Sequence, residues 1–292
     1  MKIKRSLGSK IFDTFNVAFM FFMMFIMLYP FWHVIMASFS SPSQIMSHEG
    51  LLFTPAGFSL SAYKFVFNYR LIWTGYLNTL FVVIVGTVLN VFASILMAYV
   101  LTRKNFPLRR PVSIMMLITM YFSGGIIPRY LLIAGTLNMD NSLWVLIIPT
   151  LISTYNVLIL RTAFFNVPES LEESARLDGA NDFIILFAII LPTIMSTVAV
   201  ITLYYAVGHW NSWFPAMVYI RKRELWPLAL VLRQIIILSE IKTDDPNAAD
   251  TEQLQETIKY ATILVSTIPI LCVYPFLQRF FVKGVMIGAV KG

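Results

Sequence analysis

The residues best suited to chemistry lie in one charged segment, residues 166–182, which separates two long apolar runs. Pro168 suits the first turn of a helix, and Ser170 with Glu173 has the spacing of a capping box. Acidic residues gather early in the segment, where the helix dipole stabilises negative charge. These features predict a short helix on the surface of the molecule.

The same segment carries signals for an ion pair and for a sharp end. Glu172 can pair with Arg176, four residues later on the same helix face. Gly179 is placed to end the helix, after which Asn181 or Asp182 can cap the next one. The small Ser174 and Ala175 would allow close approach by another protein. The alternative is a solvated loop with accidental helix signals.

No other pattern in the sequence supports catalysis. Cys272 is the single cysteine, and the three histidines, His33, His48 and His209, are scattered. No hydrolase triad, zinc motif, glycine-rich phosphate loop or dinucleotide fingerprint is present. We therefore predict no catalytic residue, no metal site and no bound cofactor. If ATP is used, another chain must bind it.

The elements that must position this segment are membrane helices. Of the 292 residues, 58% are hydrophobic and only 13% are charged, whereas a soluble domain is about one quarter charged. About 20 apolar residues span a bilayer as a helix, and six runs lack Asp, Glu, Lys and Arg. These runs are Phe15–Ala37, Leu71–Leu101, Pro111–Pro128, Leu143–Leu160, Phe183–Ile220 and Tyr260–Gln278. A buried soluble helix explains one such run, not six.

The predicted fold is therefore an all-α, polytopic membrane protein with six transmembrane helices. We expect one domain, residues 1–292, with a retained first helix at about 15–37 and core helices at about 71–282. Residues 183–220 are too long for one straight span. A cytosolic approach, a helix from about Ile190 to His209 and an outer segment are expected there.

The net charge of +7 predicts an orientation. The short basic tract Arg103–Arg110 belongs on the cytosolic side by the positive-inside rule. Both termini and residues 166–182 then lie inside as well, while residues 38–70, 134–142 and 211–259 lie outside. Nucleic-acid binding is the rival explanation of the charge, but the cations lie at membrane edges rather than on one exposed face.

The charged segment also carries a family resemblance. Glu173, Ser174 and Ala175, then Gly179, then the run Ile189–Pro192 resemble the signature loop of binding-protein-dependent ABC importer permeases. That family has Glu-Ala-Ala, a glycine three residues later, and Ile-x-Leu-Pro nine residues beyond. Ser174 replaces the usual alanine with another small residue. Residues 121–132, 205–233 and 276–292 resemble the carbohydrate-uptake, maltose-permease-like subfamily, in its Gram-positive oligosaccharide branch.

The resemblance implies the transmembrane domain of a type I ABC importer in the bacterial cytoplasmic membrane. It implies a second permease subunit of different sequence, two ATPase subunits that use ATP and Mg²⁺, and an extracellular or periplasmic solute-binding protein. Import would proceed by alternating access. The coupling positions would be Glu172, Glu173, Ser174, Ala175, Asp178, Gly179 and Pro192.

Polar residues inside spans are expected to face a cavity or a partner helix. For a sugar path, which needs hydrogen bonds beside aromatic faces, the candidates are Tyr121, Asn156, Tyr204, Tyr205 and His209. The alternative is that these residues sit in an interfacial belt or fill helix contacts.

The outer loop after the fifth span is the predicted contact for the binding protein. Its candidate residues are Trp210, Asn211, Trp213, Arg221 and Trp226. The alternative is an ordinary solvated loop.

The substrate class is left open in one respect. Arg129 and the cluster Arg221–Arg223 would attract an acidic, uronate-containing oligosaccharide, although binding to headgroups or to Glu224 also explains these cations.

A non-sugar solute is the alternative within transporters. A membrane-embedded enzyme needs acids or histidines inside the spans, and the sequence has no Asp or Glu there. A purely structural membrane protein leaves residues 166–182 unexplained.

The orientation predicts the outcome of reporter fusions. Fusions after Lys104 and after Asp182 are expected to report the cytosol, and fusions near Gly50 and Asp245 the outside, because the basic loops stay inside. Paired alkaline phosphatase and fluorescent-protein fusions measure this. An external signal at Asp182 would contradict the assignment of residues 166–182 to an ATPase contact.

Overall fold

The computed structural model describes residues 7–240 and 255–272. Within these ranges the regular structure is helical, apart from an isolated bridge between Ser40 and Phe58. Apolar runs form helices because a backbone in hydrocarbon must satisfy its hydrogen bonds internally. The predicted all-α fold is confirmed. The predicted acidic turn at 242–254, the end of the core helices at 282 and the family-like tail at 276–292 lie outside the described residues.

The chain divides into two compact units. The first contains residues 7–69, 234–240 and 255–267, and the second contains residues 70–233 and 268–272. Each unit is built on one of the two unbroken helices that are long and apolar enough to cross a membrane. The expectation of a single permease domain stays a prediction.

The first unit is organised by α1, Leu7–Ser38, which starts eight residues before the charge-free run and contains Pro30. The helices α2 (Pro42–Met46) and α3 (Ser61–Asn68) follow it. Residues 52 and 53, in the segment after α1, are each joined to that helix by a hydrogen bond. Trp32 Nε1 donates to the Phe53 carbonyl at 3.0 Å, and the Leu52 amide donates to the Tyr29 hydroxyl at 2.9 Å.

The second unit is organised by α4, Arg70–Thr102. Three further apolar stretches are helix pairs bent at a short break, by 117°, 48° and 89° in chain order. Their members are α5 (Arg109–Tyr121) with α6 (Ile126–Tyr130) and its π-helical extension to Thr136; the 3₁₀ segment Leu143–Thr150 with α7 (Thr154–Phe165); and Asp182–Thr193 with α11 (Met195–Trp210). The described residues thus hold up to five spans.

The remaining helices are short or partly described. They are α8 (Glu169–Leu177), α9 (Asp182–Ile184), α10 (Leu191–Thr193), α12 (Trp213–Tyr219), α13 (Leu228–Glu240) and α14 (255–272). The predicted sixth span, Tyr260–Gln278, is described only to residue 272. Residues 183–220 do divide into separate pieces: a break at Ile194 precedes α11, and α12 follows it. The cytosolic and outer placement of these pieces stays a prediction.

Close packing along α4 depends on small residues. A Cβ atom at Gly75 would lie 3.2 Å from Leu228 Cα, and one at Gly86 would lie 2.6 Å from His209 Nε2. Ridge-into-groove packing at such distances requires glycine. Both positions lie on the side of α4 that faces the rest of its unit.

Replacing Gly75 by leucine is therefore expected to destabilise the protein, because the new side chain meets a backbone that cannot turn aside. Overpacking of this kind costs about 1–3 kcal/mol, which thermal unfolding in detergent would register as a lower Tm. Gly208→Ala is the control. Nothing lies within 4 Å of a Cβ at Gly208, so its Tm should hold or rise with the gain in helix propensity. Equal Tm values for both variants would contradict the packing argument.

Candidate functional site

The charged helix α8 starts two residues earlier than the predicted capping box requires. Glu169 is its first residue and Pro168 precedes it, with no side-chain hydrogen bond at the cap. The predicted capping box of Ser170 and Glu173 is wrong, because Ser170 already lies inside the first turn. The acidic Glu169 and Glu172 do lie in that turn, where the dipole favours them.

The end of α8 is a Schellman motif built on Gly179. The Ala180 amide donates to the Ala175 carbonyl and the Gly179 amide donates to the Arg176 carbonyl, both at 3.0 Å. Gly179 has φ +82°, a left-handed conformation that favours glycine. The Asn181 side chain then accepts a hydrogen bond from the Ile184 amide at 2.9 Å and caps α9. The predicted sharp end and the following cap are confirmed.

One side of α8 is anchored in the core of the second unit. Ala175 is only 5% exposed and belongs to a buried apolar cluster. Its partners in that cluster come from α4, α7 and the turn after α9, and include Leu101, Phe164 and Ile185. A larger residue at 175 would displace α8 from this buried cluster.

Ion pairs hold the same side. Arg103, which follows α4, pairs with Glu172, and Arg176 bridges Glu172 at 3.1 Å to Asp182 at 2.6 Å. The predicted Glu172–Arg176 pair is confirmed. Partial burial opposes ionisation of Glu172, but hydrogen bonds and charge from Arg103 and Arg176 outweigh it and hold the pKa of Glu172 below its ordinary value. Glu172 therefore acts as a fixed anion in the anchor.

The opposite side of α8 is exposed. It carries Glu173, Ser174 and Asp178 together with Leu177, whose side chain is 88% exposed. This side of α8 is therefore the one that is open to contact with another protein. Sequence reasoning missed Leu177, although its spacing of four from Glu173 was a usable signal.

Pro192, the remaining predicted coupling residue, is also exposed. It lies in α10, beyond a π-helical turn, and not on α8.

A cavity of about 1230 Å³ lies in the second unit. Four of the five predicted path residues line it, namely Asn156, Tyr204, Tyr205 and His209. The fifth, Tyr121, ends α5 with an exposed side chain and is not among the lining residues. The break after α5, residues Ser123–Gly125, takes that place in the wall.

The lining tyrosines have different roles. The Tyr205 hydroxyl is engaged inside the protein, with Ser94 Oγ at 2.7 Å and with the Ser153 amide, which donates to it at 2.9 Å. Tyr155 and Tyr204 are about half exposed, with ring centroids 6.4 Å apart. Their faces are therefore the accessible aromatic surface. Tyr155 was overlooked as a path residue, and its place beside Tyr204 follows only from the packing of α7 on α11.

Arg129 is the charged side chain among the residues that line the cavity. It lies on α6, directly after the break, and is exposed. Apart from His209, the wall otherwise consists of aromatic, aliphatic and uncharged polar groups, so Arg129 is the permanent cation of the lining. His209 and Asn156, in contrast, are almost fully buried in that wall.

The five predicted binding-protein residues divide by exposure. Asn211 and Arg221 are exposed, and Arg221 donates to the Tyr130 hydroxyl at 3.3 Å. The tryptophans are partly buried by packing. Trp210 packs on Tyr76, and the Trp213 ring lies under the Arg233 guanidinium carbon, 3.7 Å from its centroid. Trp226 donates a 3.0 Å hydrogen bond to the Ile220 carbonyl.

In the part of the chain that the structure describes, no group of three or more His, Cys, Asp or Glu side chains could hold a metal ion.

Comparison with known proteins decides the family. The chain is 41% identical over 286 residues to a polygalacturonan/rhamnogalacturonan transport system permease protein, YtcP, of Bacillus subtilis, covering 97% of this chain and 99% of that protein. The chain belongs to the carbohydrate ABC transporter permeases. A second relative in this family, protein LplC of the same organism, is 36% identical over 98% of the chain and 96% of its own length. No family model matches the chain.

A solved structure supports the same assignment for the fold. A bacterial ABC transporter involved in the import of the acidic polysaccharide alginate contains a chain that matches 96% of this permease and 100% of its own length. The TM-score is 0.86 at 30% identity. The permease is thus the membrane subunit of an ABC importer and not itself an enzyme, since ATP hydrolysis in such systems belongs to a separate subunit.

Proposed function

We propose that this permease carries an acidic oligosaccharide into the cell by alternating access, with an ATPase docked on α8. The observation that carries the proposal is the two-sided construction of α8. Ala175 and Glu172 fix one side to the membrane helices, while Glu173, Ser174 and Leu177 present the other side outward. A helix anchored in this way can pass a push or pull to the spans without bending.

The proposed assembly contains a second permease of different sequence, two ATPase subunits and an extracellular solute-binding protein. The ATPases would use ATP and Mg²⁺, since this chain carries no phosphate-binding loop of its own. Exposed Asn211 and Arg221 are the proposed contacts for the binding protein, and the three tryptophans support the loop around them.

The proposed orientation has both termini and α8 in the cytosol. The basic tract Arg103–Arg110 connects α4 to α5 beside α8, and Lys104 pairs there with Glu169 at 2.7 Å. Clusters of Lys and Arg at the end of a span favour the cytosolic side. The cavity residues near α6 would then belong to the outer half of the path.

In the proposed cycle, closure of the ATPases moves α8, and the Schellman turn at Gly179 transmits the motion to α9. From there the chain continues through a π-helical turn to α10 and bends by 89° at the break before α11, which carries Tyr204 and Tyr205. Rigid helices joined at such breaks can expose the cavity to either side in turn.

Two features support an acidic sugar as the substrate. Tyr155 and Tyr204 offer aromatic faces of the kind on which sugar rings stack, which favours a sugar over other solutes. Arg129 offers a guanidinium, the group best matched to a carboxylate. One relative is named as a polygalacturonan/rhamnogalacturonan transport permease, and the solved importer is described as taking part in the import of the acidic polysaccharide alginate. A neutral oligosaccharide is the alternative.

The coupling role predicts that Gly179→Leu and Glu173→Lys insert normally but fail in transport. Leucine at 179 strains the left-handed cap and fills the space beside the docking surface, and lysine at 173 reverses a charge on that surface. The assembled transporter in lipid is assayed for ATP hydrolysis stimulated by loaded binding protein. Full stimulation in both variants, at normal membrane abundance and normal co-purification of the ATPase, would remove the main support for this function.

The cavity charge predicts substrate discrimination. Arg129→Ala is expected to lower uptake of an acidic oligosaccharide about ten-fold, in line with the loss of one hydrogen bond to a charged group, and to change uptake of a neutral one little. Arg129→Lys should retain part of the preference. Arg221→Ala, outside the cavity lining, separates steering at the mouth from binding inside. Equal losses for both sugars in Arg129→Ala would count against charge selection.

A further inference from the structure

Arg103 occupies the junction between the end of α4 and α8. Its guanidinium pairs with Glu172 of α8, and it also lies over the Tyr99 ring at 4.2 Å from the centroid. The side chains of Arg103 and Glu172 are only 27% and 20% exposed. Stacking and pairing together hold the arginine in one geometry, so the ion pair is a defined link and not a transient surface contact.

We infer that Arg103 is a positioning residue that locks α8 to α4, so that movement of the docking helix is delivered directly to α4 as well as to α11. The inference rests on the proposed coupling role of α8. It adds a second route of transmission, which does not run through the chain connection at Gly179. The adjacent Glu172 and Glu173 then have separate tasks: Glu172 faces inward to Arg103, and Glu173 faces outward to the partner.

The helix α4 is suited to carry this movement to the cavity. It is unbroken for 33 residues, and from Arg103 back to Asn90 it spans about 20 Å at the rise of an α-helix. The Asn90 side chain donates to the Thr150 carbonyl at 2.8 Å, and Ser94 bonds the Tyr205 hydroxyl at 2.7 Å. Both partners, Thr150 and Tyr205, belong to the cavity wall. A shift of α4 must therefore displace that wall.

The C-terminal end of α4 is also packed tightly enough to move as one body with α8. The Tyr99 ring beneath Arg103 meets the Phe164 ring edge-on, with centroids 5.9 Å apart. Tyr99, Phe164 and Ala175 of α8 belong to the same buried cluster. Packed interiors transmit displacement because they have little free volume.

A neighbouring ion pair supplies a matched comparison. Lys104 and Glu169 join the same two segments at 2.7 Å, but their side chains are 76% and 73% exposed. Exposed pairs contribute little because water screens them and the side chains lose entropy. If burial gives the Arg103–Glu172 pair its mechanical role, the Lys104–Glu169 pair should lack that role.

A double-mutant cycle tests the link in the assembled transporter in lipid vesicles. Arg103→Ala and Glu172→Gln are each expected to lower substrate moved per ATP hydrolysed about ten-fold, a coupling within the range measured for contacting charged residues. The double variant should be no worse than either single one. Arg103→Lys should recover part of the loss, and Lys104→Ala with Glu169→Gln should stay within about two-fold of the parent. Membrane abundance and co-purification of the ATPase are measured for every variant.

A cross-link tests the rigid-body aspect. In a Cys272→Ser background, cysteines replace Arg103 and Glu172 and are joined by a short bifunctional thiol reagent. If α4 and α8 move together, the linked transporter should regain coupled transport relative to the unlinked double-cysteine variant. If the two helices must separate during the cycle, the cross-link should stop transport.

Two results would overturn the inference: additive losses in the Arg103–Glu172 cycle, or loss of transport on cross-linking. Gly179→Leu and Glu173→Lys, assayed in parallel, separate these results from a failure of the proposed function. If those two variants uncouple and the Arg103 cycle is additive, only the second route is wrong. If neither set uncouples, α8 is not the docking helix.

Discussion

Backbone groups in hydrocarbon have no water to bond, and this constraint accounts for the central place of α4. Side chains of α4 supply hydrogen-bond partners to backbone groups of the segments packed beside it. Thr79 accepts from the Leu228 amide at 2.8 Å, and Asn90 donates to the Thr150 carbonyl at 2.8 Å. A membrane helix can be interrupted only where such partners exist. Through Asn90, the unbroken α4 therefore supports the break between the 3₁₀ segment Leu143–Thr150 and α7.

The bends in turn create the functional geometry. The breaks at Ser123–Gly125 and at Ser153 both reach the cavity wall, and the Ser153 amide is satisfied by the Tyr205 hydroxyl. Irregular backbone at membrane depth is tolerated where it lines a cavity or is buried in protein. At its Thr102 end, α4 meets α8, the proposed docking helix, through Arg103 and Glu172. The unbroken α4 thus contacts both α8 and the wall of the cavity.

Polar residues inside spans proved to have two roles that their residue types alone did not separate. Asn90 and Tyr205 are engaged in internal hydrogen bonds, whereas Tyr155, Tyr204 and Arg129 keep exposed surface in the cavity. Tyr205 was therefore predicted at the right place, but its hydroxyl is engaged in holding the wall together. Tyr121 was expected in the lining and lies outside it, because the chain turns by 117° just after α5.

The sequence by itself determined the helical membrane class, the charged helix within 166–182 and the end of that helix at Gly179. These features depend on local properties, namely apolar length, the helix dipole and the left-handed conformation that glycine adopts readily. It also placed the Glu172–Arg176 pair, whose partners are four residues apart. Only the tertiary structure decided that Arg103 reaches Glu172 across 69 positions of chain, that Leu177 is exposed and that Tyr155 lies beside Tyr204. These contacts depend on how bent spans pack around α4, and a periodic pattern within one segment carries no information about which distant segment lies against it.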